Sequence, residues 1–477
     1  MQKKFLGALF LMMLLNVLVK PVWIFGIDRG VQNITGFADY GRYFAYLNFC
    51  MVLGFILDPG LHIHLSRLAS LPDADRTRLF WDGLYAKIGL FLLYILVVAT
   101  VAGVAGYADL RFLFTLMVLH ASVSLFGFFR LFITSGQRFR ADGLLSVTDK
   151  SVVILLIGAM MLWPDSLGQI TIGRFVAVQT LGIGLSIMLA VIFLFRGGWP
   201  FTFHPFRGFR RDLLFPSIPF ALNIFLMTVI LRADGILLER IHPDGAREAG
   251  LYASGFRILD AFGMMGTLAG GFLLPFIARH WPDTSRFSQA VGVSRRALMC
   301  AAILIASVGL AIPGWLTEFL YHRSDAPIIN LMRIILLALP GLSLVAIHGT
   351  VLTATGHIRR FITISAVAAV LSFCLNLWLI PRFGAQASAL IAVGIQSLYA
   401  FALVRSTRRL TQIGLPASEF LSYLFVGLMG YGTIRVLSYL GVPVPVSVGI
   451  SVAVTSVLFY FTLGFRISDL QRLMTRD

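Results

Sequence analysis

Ile88-Gly89-Leu90-Phe91-Leu92-Leu93-Tyr94-Ile95-Leu96-Val97-Val98-Ala99-Thr100-Val101-Ala102 carries no charge, and with its flanks it forms an apolar run over 83–106 whose one ion is Lys87. A helix of about 20 such residues rises about 30 Å, the thickness of a bilayer's hydrocarbon core. The same window moved along the chain gives spans near 5–27, 40–66, 83–106, 112–135, 142–163, 171–195, 213–238, 249–278, 297–320, 328–355, 361–380, 386–404, 419–440 and 445–465. The expectation is an all-α polytopic membrane protein of about 14 transmembrane helices. Its loops are too short to hold a folded extramembrane domain.

Composition agrees, since 58% of the 477 residues are hydrophobic and only 13% are charged. The formal charge of +17 raises the question of nucleic acid, but a basic nucleic-acid module shows its cations on a soluble fold, and no segment here is long enough to be one. Cys50, Cys300 and Cys374 lie singly in apolar spans and read as small core residues. The first span begins Met1-Gln2-Lys3-Lys4, yet Lys20-Pro21 interrupts its far half and no small-residue cleavage site follows, so it reads as a retained helix.

Lys and Arg are retained on the cytoplasmic side of membrane proteins. One alternate set of loops holds twenty-three of them, while the other holds six: Arg29, Arg111, Arg240, Arg247, Arg323 and Arg382. Both termini are therefore expected in the cytoplasm, as an even helix count also requires.

Two local patterns recur. Tyr40-Gly41-Arg42-Tyr43-Phe44-Ala45 opens the second span and Ala249-Gly250-Leu251-Tyr252-Ala253-Ser254 the eighth. Thr134-Ser135-Gly136-Gln137-Arg138 ends the fourth and Ala354-Thr355-Gly356-His357-Ile358-Arg359 the tenth. Two six-helix halves are implied, 1–211 and 212–409, followed by two additional helices in 410–477. Halves with an even number of helices run the same way and are related by an axis along the membrane normal, with a cleft between them. Convergent turn chemistry at membrane boundaries is the alternative.

Six cations sit well inside hydrophobic runs: Lys20, Arg130, Lys150, Arg232, Arg257 and Arg333. Each costs at least about 2.5–3.5 kcal/mol near the bilayer centre unless it faces a polar cavity or a partner. A positively charged cavity points to an anionic substrate. Lys20 lies eight residues before Asp28, Arg232 seven before Glu239 and Arg257 seven after Gly250, so helix rise sets each about 10–12 Å below one boundary, in a shared layer. Snorkelling is an alternative for Arg130, whereas Lys150 is too deep for it and pairs or faces a cavity. Arg42, Lys87, Arg174 and Arg435 lie within about two turns of a boundary and need no function, with Arg333 at the margin of that group.

Four acids lie at similar depth: Asp58, Asp149, Asp234 and Asp260. Asp260 stands three residues from Arg257 and can pair with it as a structural tie. Asp234 stands two from Arg232, on another face, so these two cannot pair directly. Asp58-Pro59-Gly60 should bend the second span, and Asp58 is either a ligand for a coupling ion or proton or a locally hydrogen-bonded carboxylate. His62 and His64 point to different faces and make no metal clamp. Asp73-Ala74-Asp75 lies in a loop without a nucleotide-sugar domain, no phosphate-binding P-loop occurs, and no catalytic or metal residues are expected.

The fourteen spans, the Gly-x-Tyr entry of spans two and eight, Phe215-Pro216-Ser217-Ile218-Pro219-Phe220 leading to Arg232-Ala233-Asp234-Gly235, and Asn376-Leu377-Trp378-Leu379-Ile380-Pro381-Arg382-Phe383-Gly384-Ala385 resemble the polysaccharide-type flippases. These belong to the multidrug/oligosaccharidyl-lipid/polysaccharide exporter superfamily, and the resemblance covers essentially the whole chain. It implies two six-helix lobes around a central cavity, two extra helices, and export of polyprenyl-diphosphate-linked oligosaccharide across a bacterial inner membrane by alternating access. The polymer it serves would be an O-antigen, lipopolysaccharide or exopolysaccharide, and its partners membrane lipids and polysaccharide-assembly proteins. Spans one, two, seven and eight line the cavity in that family. Lys20, Arg232, Arg257 and Lys150 are thus candidates to hold the diphosphate, with Asp234, Asp260, Asp149 and Asp58 as ion-pair or coupling candidates, H+ or Na+ being the coupling ion. A multidrug exporter of the same superfamily is the alternative, as is a membrane-embedded polysaccharide polymerase or ligase, which typically carries a large periplasmic loop.

Overall fold

We describe the fold from a computed structural model, which covers residues 12, 14–69, 75–196, 202–205 and 218–463. Lys3, Lys4, Asp73, Arg207, Arg210, Arg211, Phe215, Pro216, Ser217, Arg466, Arg472 and Arg476 lie outside the described residues. Among those described, every regular element is a helix.

Helix runs from 14 through a π-helical stretch, Val22–Asp28, into Arg29–Val52. Gly36 (φ 83°, ψ 168°) breaks that run, and we call the part before it α1 and the part after it α2. A 3-10 turn, Leu53–Ile56, and the bend at Asp58-Pro59-Gly60 then separate α2 from α3 (Leu61–Ala69), as the sequence implies. Next come α4 (Arg76–Val104), α5 (Leu110–Ser135), α6 (Phe139–Leu162), the single turn α7 (Pro164–Leu167) and α8 (Ile172–Phe195). They are followed by α9 (Ile218–Ile241), α10 (Gly245–His280), α11 (Thr284–Ala311), the short α12 (Pro313–Tyr321) and α13 (Ala326–Ile335). A 3-10 turn, Leu336–Ala338, joins α13 to α14 (Leu339–Ala354). The helix Ile358–Thr411 is broken by Gly384 (φ 54°, ψ −136°) into α15 and α16, and α17 (Ala417–Tyr439) and α18 (Val444–Leu463) complete the order.

Local chemistry sets many of these ends. Asp75, Asp109 and Thr171 accept the backbone N–H three residues ahead and so cap α4, α5 and α8. Asp75 has here a plain capping role. Prolines occupy the first turns of α7, α12, α13 and α14, where no N–H is missed.

Among the described residues, eleven helices are long and apolar enough to cross a membrane. The fourteen expected spans differ from that number in three places. Gly384 divides one of the eleven in two, while spans one and two fall on α1 and on α2 with α3, and 5–11 of span one lie outside the described residues. Leu92, Leu96, Val104, Leu155, Phe401 and Phe461 are large, apolar and exposed, which is costly in water and favourable in lipid.

The chain divides into two compact units, Met1–Ile236 and Leu237–Asp477. In the first, α5 packs on α8 and α2, α6 on α8, and α3 on α4 and α5. Most of α9 also belongs here, with Phe225 against Phe55 at 4.7 Å and Gly235 against Asn48 and Phe44. In the second, α14 packs on α10, α11 and the 358–411 pair, and α11 on α17. Met299, Ile303, Tyr423, Val426 and Phe459 form the buried cluster that seats α17 and α18.

Candidate functional site

The expected equal depth of three cations took Asp28 as the end of the first span. Helix instead continues to Gly36, so Lys20 lies sixteen residues, about 24 Å, below that turn. Arg232 is nine residues from the end of α9, and Arg257 twelve from the start of α10, about 14 and 18 Å. Asp28 and Arg29 lie within helix, and the break in the run comes at Gly36.

Lys20 has other company, within electrostatic reach of Asp149, Lys150 and Arg130. Lys150 Nζ stands 3.3 Å from Asp149 Oδ2 and 4.6 Å above the centre of the Trp23 ring, which stacks in turn on Phe175. An ammonium over an indole face gains about 0.5–2 kcal/mol, more as water is excluded. Arg130 does not snorkel alone: its Nε donates to Asp142 Oδ1 at 2.6 Å, tying α5 to α6. Three cations thus share this zone of the first unit with two carboxylates.

Arg232 lies elsewhere in that unit. Its Nη1 is 3.5 Å from Asn48 Oδ1, and its charge reaches His120. Asn48 is 1% exposed, and its Nδ2 has no hydrogen-bond acceptor among the described residues. Asp234, two residues on, is buried.

In the second unit Arg257 is only 5% exposed and Nη1 donates to the Tyr321 hydroxyl at 2.7 Å; that hydroxyl donates to the Ser254 carbonyl, also at 2.7 Å. The guanidinium therefore ties α10 to α12. Asp260 lies one turn further along α10 and is half-buried.

Lys87 corrects the reading of it as an idle boundary cation. The bend between Ile56 and Leu61 takes the Leu57 carbonyl out of the helical ladder. Lys87 reaches across from α4 and donates to Leu57 O at 2.9 Å, to Asp58 Oδ2 at 3.2 Å and to Ser124 Oγ on α5 at 2.9 Å. An ammonium has three donors, and all three are used. Asp58 Oδ1 meanwhile accepts the His62 N–H at 3.0 Å and caps α3. A Cβ on Gly54, just above, would overlap His120, so the bend is packed as well as bonded. Asp58 is hydrogen-bonded at both oxygens.

Arg295 corrects another reading, that of a surface charge counted only for orientation. Its Nη2 and Nε donate to the two oxygens of Glu419, at 2.7 and 3.1 Å, and Nη1 to the Gly414 carbonyl at 2.8 Å. Both side chains are about 5% exposed, and the pair fixes α17 to α11. Sequence spacing held no sign of this, since 124 residues separate the partners.

Residues 6–281, more than half the chain, match the model of a family described as polysaccharide biosynthesis protein. No curated protein matches the sequence. Among solved structures, the lipid II flippase MurJ in an inward closed conformation is similar at a TM-score of 0.70 and 11% identity, over 95% of this chain and 99% of that one. A variant of the Vibrio cholerae MATE transporter VcmN gives 0.57 at 14% identity, over 85% and 97% of the two chains. An inward-facing multidrug resistance MATE transporter of the MOP superfamily gives 0.57 at 12%, over 86% and 98%. At such identities the likeness speaks for the fold alone, and it is the family model that assigns the sequence. With the fold of the multidrug/oligosaccharidyl-lipid/polysaccharide superfamily around it, this chain belongs to the polysaccharide biosynthesis protein family.

Proposed function

We propose that this protein flips a polyprenyl-diphosphate-linked oligosaccharide from the cytoplasmic to the periplasmic leaflet of a bacterial inner membrane, for the assembly of a surface polysaccharide. The observation that carries the reading is the gathering of Lys20, Arg130 and Lys150 in the first unit, with Asp142 and Asp149 beside them. An anionic diphosphate is stabilised by such a field, and a cationic drug is repelled by it. The lobes would be 1–211 and 212–409, with 410–477 appended, both termini in the cytoplasm, and alternating access coupled to H+ or Na+. The bend at Asp58-Pro59-Gly60, stapled by Lys87, is the candidate hinge.

The similarity to MATE structures makes a drug exporter the second reading. Deletion in the host separates the two. Flipping of a lipid-linked glycan predicts that the polyprenyl-diphosphate-linked oligosaccharide accumulates in the cytoplasmic leaflet and that the surface polymer disappears. Normal surface glycan with new sensitivity to cationic dyes would instead identify a drug exporter.

A further inference from the structure

A cavity of about 960 Å³ lies in the second unit, and none of the residues discussed as a substrate contact lines it. It is bounded by α11, the start of α12, α13 with α14, and α17. Helices α11 and α17 run parallel beside it, since Arg295 meets Glu419 at one end and Ser307 Oγ donates to the Gly427 carbonyl further along. The lining on α17 extends from Tyr423 to Arg435, twelve residues or about 18 Å. Its long wall is apolar, with Ile303, Leu310, Leu337 and Leu428.

The charge is all at one end and all of one sign. Arg333 and Arg435 line the cavity, both are exposed, and no acidic residue lines it. Neither guanidinium has an ion pair or side-chain hydrogen bond among the described residues, in contrast to Arg295 and Arg130 on neighbouring helices. Arg435 lies about one turn before the end of α17 and Trp315 stands in the first turn of α12, near the level at which aromatic and basic side chains anchor helices to lipid headgroups. Arginine presents a planar fork suited to phosphate.

We propose that this cavity is a binding site for an anionic phospholipid. The lipid belongs to the leaflet that the carboxyl-terminal ends of α11 and α17 reach. Its headgroup phosphate lies between Arg333 and Arg435, and one acyl chain lies along the apolar wall toward Tyr423. Charge complementarity selects a phosphodiester with net negative charge over a zwitterion, and the length of the wall selects a lipid over free phosphate.

The test uses the full-length protein in detergent and native mass spectrometry, with phosphatidylglycerol and phosphatidylcholine of matched chains. Phosphatidylglycerol should be retained at least about tenfold more tightly, and the Arg333→Gln/Arg435→Gln variant should lose that preference. Leu428→Trp, which fills the cleft and leaves both charges, should weaken phosphatidylglycerol as well, and inorganic phosphate should fail to displace it. Undiminished phosphatidylglycerol binding by the double variant would overturn the proposal. So would a polyprenyl phosphate bound more tightly than phosphatidylglycerol and lost with the same two arginines, which would give the cavity to the transported lipid. Should the double variant fail to fold, Leu428→Trp decides alone, and wild-type retention by it sinks the assignment.

Discussion

At the scale of single residues, the sequence tells how deep a charge lies but not what it touches. Lys87 looked idle because it is close to a helix end, yet its side chain is 6% exposed and serves three acceptors, one of them the Leu57 carbonyl at the bend before α3. Arg295 and Glu419 were equally hidden, because their pairing depends on how α17 lies on α11. By contrast Lys150 and Asp149 are neighbours in sequence, and a partner for that deep lysine could be anticipated. Lys87→Met should therefore destabilise the protein by about 3 kcal/mol, through a carboxylate and a carbonyl left without their donor. The Lys87→Met/Asp58→Asn double variant should lose less than Lys87→Met alone, because the uncompensated charge is gone. Chemical unfolding in mixed micelles measures both, and equal losses would show that the pair is not coupled.

Helical elements were legible wherever an apolar run was long, as over 83–106, and misjudged where a reversal uses a single residue. The loop expected between the first two spans is helix up to 35 and helix again from 37. Gly36 and Gly384 each break an otherwise continuous helical run, and both have backbone angles that a side chain tolerates poorly. They differ in surroundings. Nothing lies within 4 Å of a Cβ built on Gly36, whereas one on Gly384 would overlap the Glu248 carboxylate, whose Oε2 accepts the Ala385 N–H at 2.7 Å at the start of α16. Gly36→Ala should cost only its backbone strain, on the order of 1–3 kcal/mol. Gly384→Ala should cost that strain plus a charge-assisted hydrogen bond of about 1.5–3 kcal/mol. Thermal unfolding of the two variants in one detergent should rank Gly384→Ala clearly below Gly36→Ala, and the reverse order would remove Glu248 from its role as the cap of that turn.

For the molecule as a whole, composition and span count were enough for the class, and the order of proline and glycine boundaries for the family, because both are properties of the chain alone. The grouping of charges was not, since it depends on where helices end and which neighbours they choose. Lys20 is the informative case: its depth was read from Asp28, and its actual neighbours are Lys150, Asp149 and Arg130. If this cationic zone and Arg232 hold a diphosphate, removing one charge weakens a partly desolvated contact by about 1.5–3 kcal/mol, roughly ten- to a hundredfold in affinity. Lys20→Ala should then cut glycan export sharply at unchanged membrane abundance, because its loss leaves Asp149 still facing Lys150 at 3.3 Å. Arg232→Ala should do the same. Arg257→Ala should lower abundance as well, because its guanidinium holds the Tyr321 hydroxyl inside the second unit. Arg42, exposed on α2, is the control and Arg42→Ala should be mild. Export is measured as surface polymer per unit of membrane-inserted protein. Wild-type values for both Lys20→Ala and Arg232→Ala would mean that these cations serve the fold, and an anionic cargo would then have to be argued from other residues.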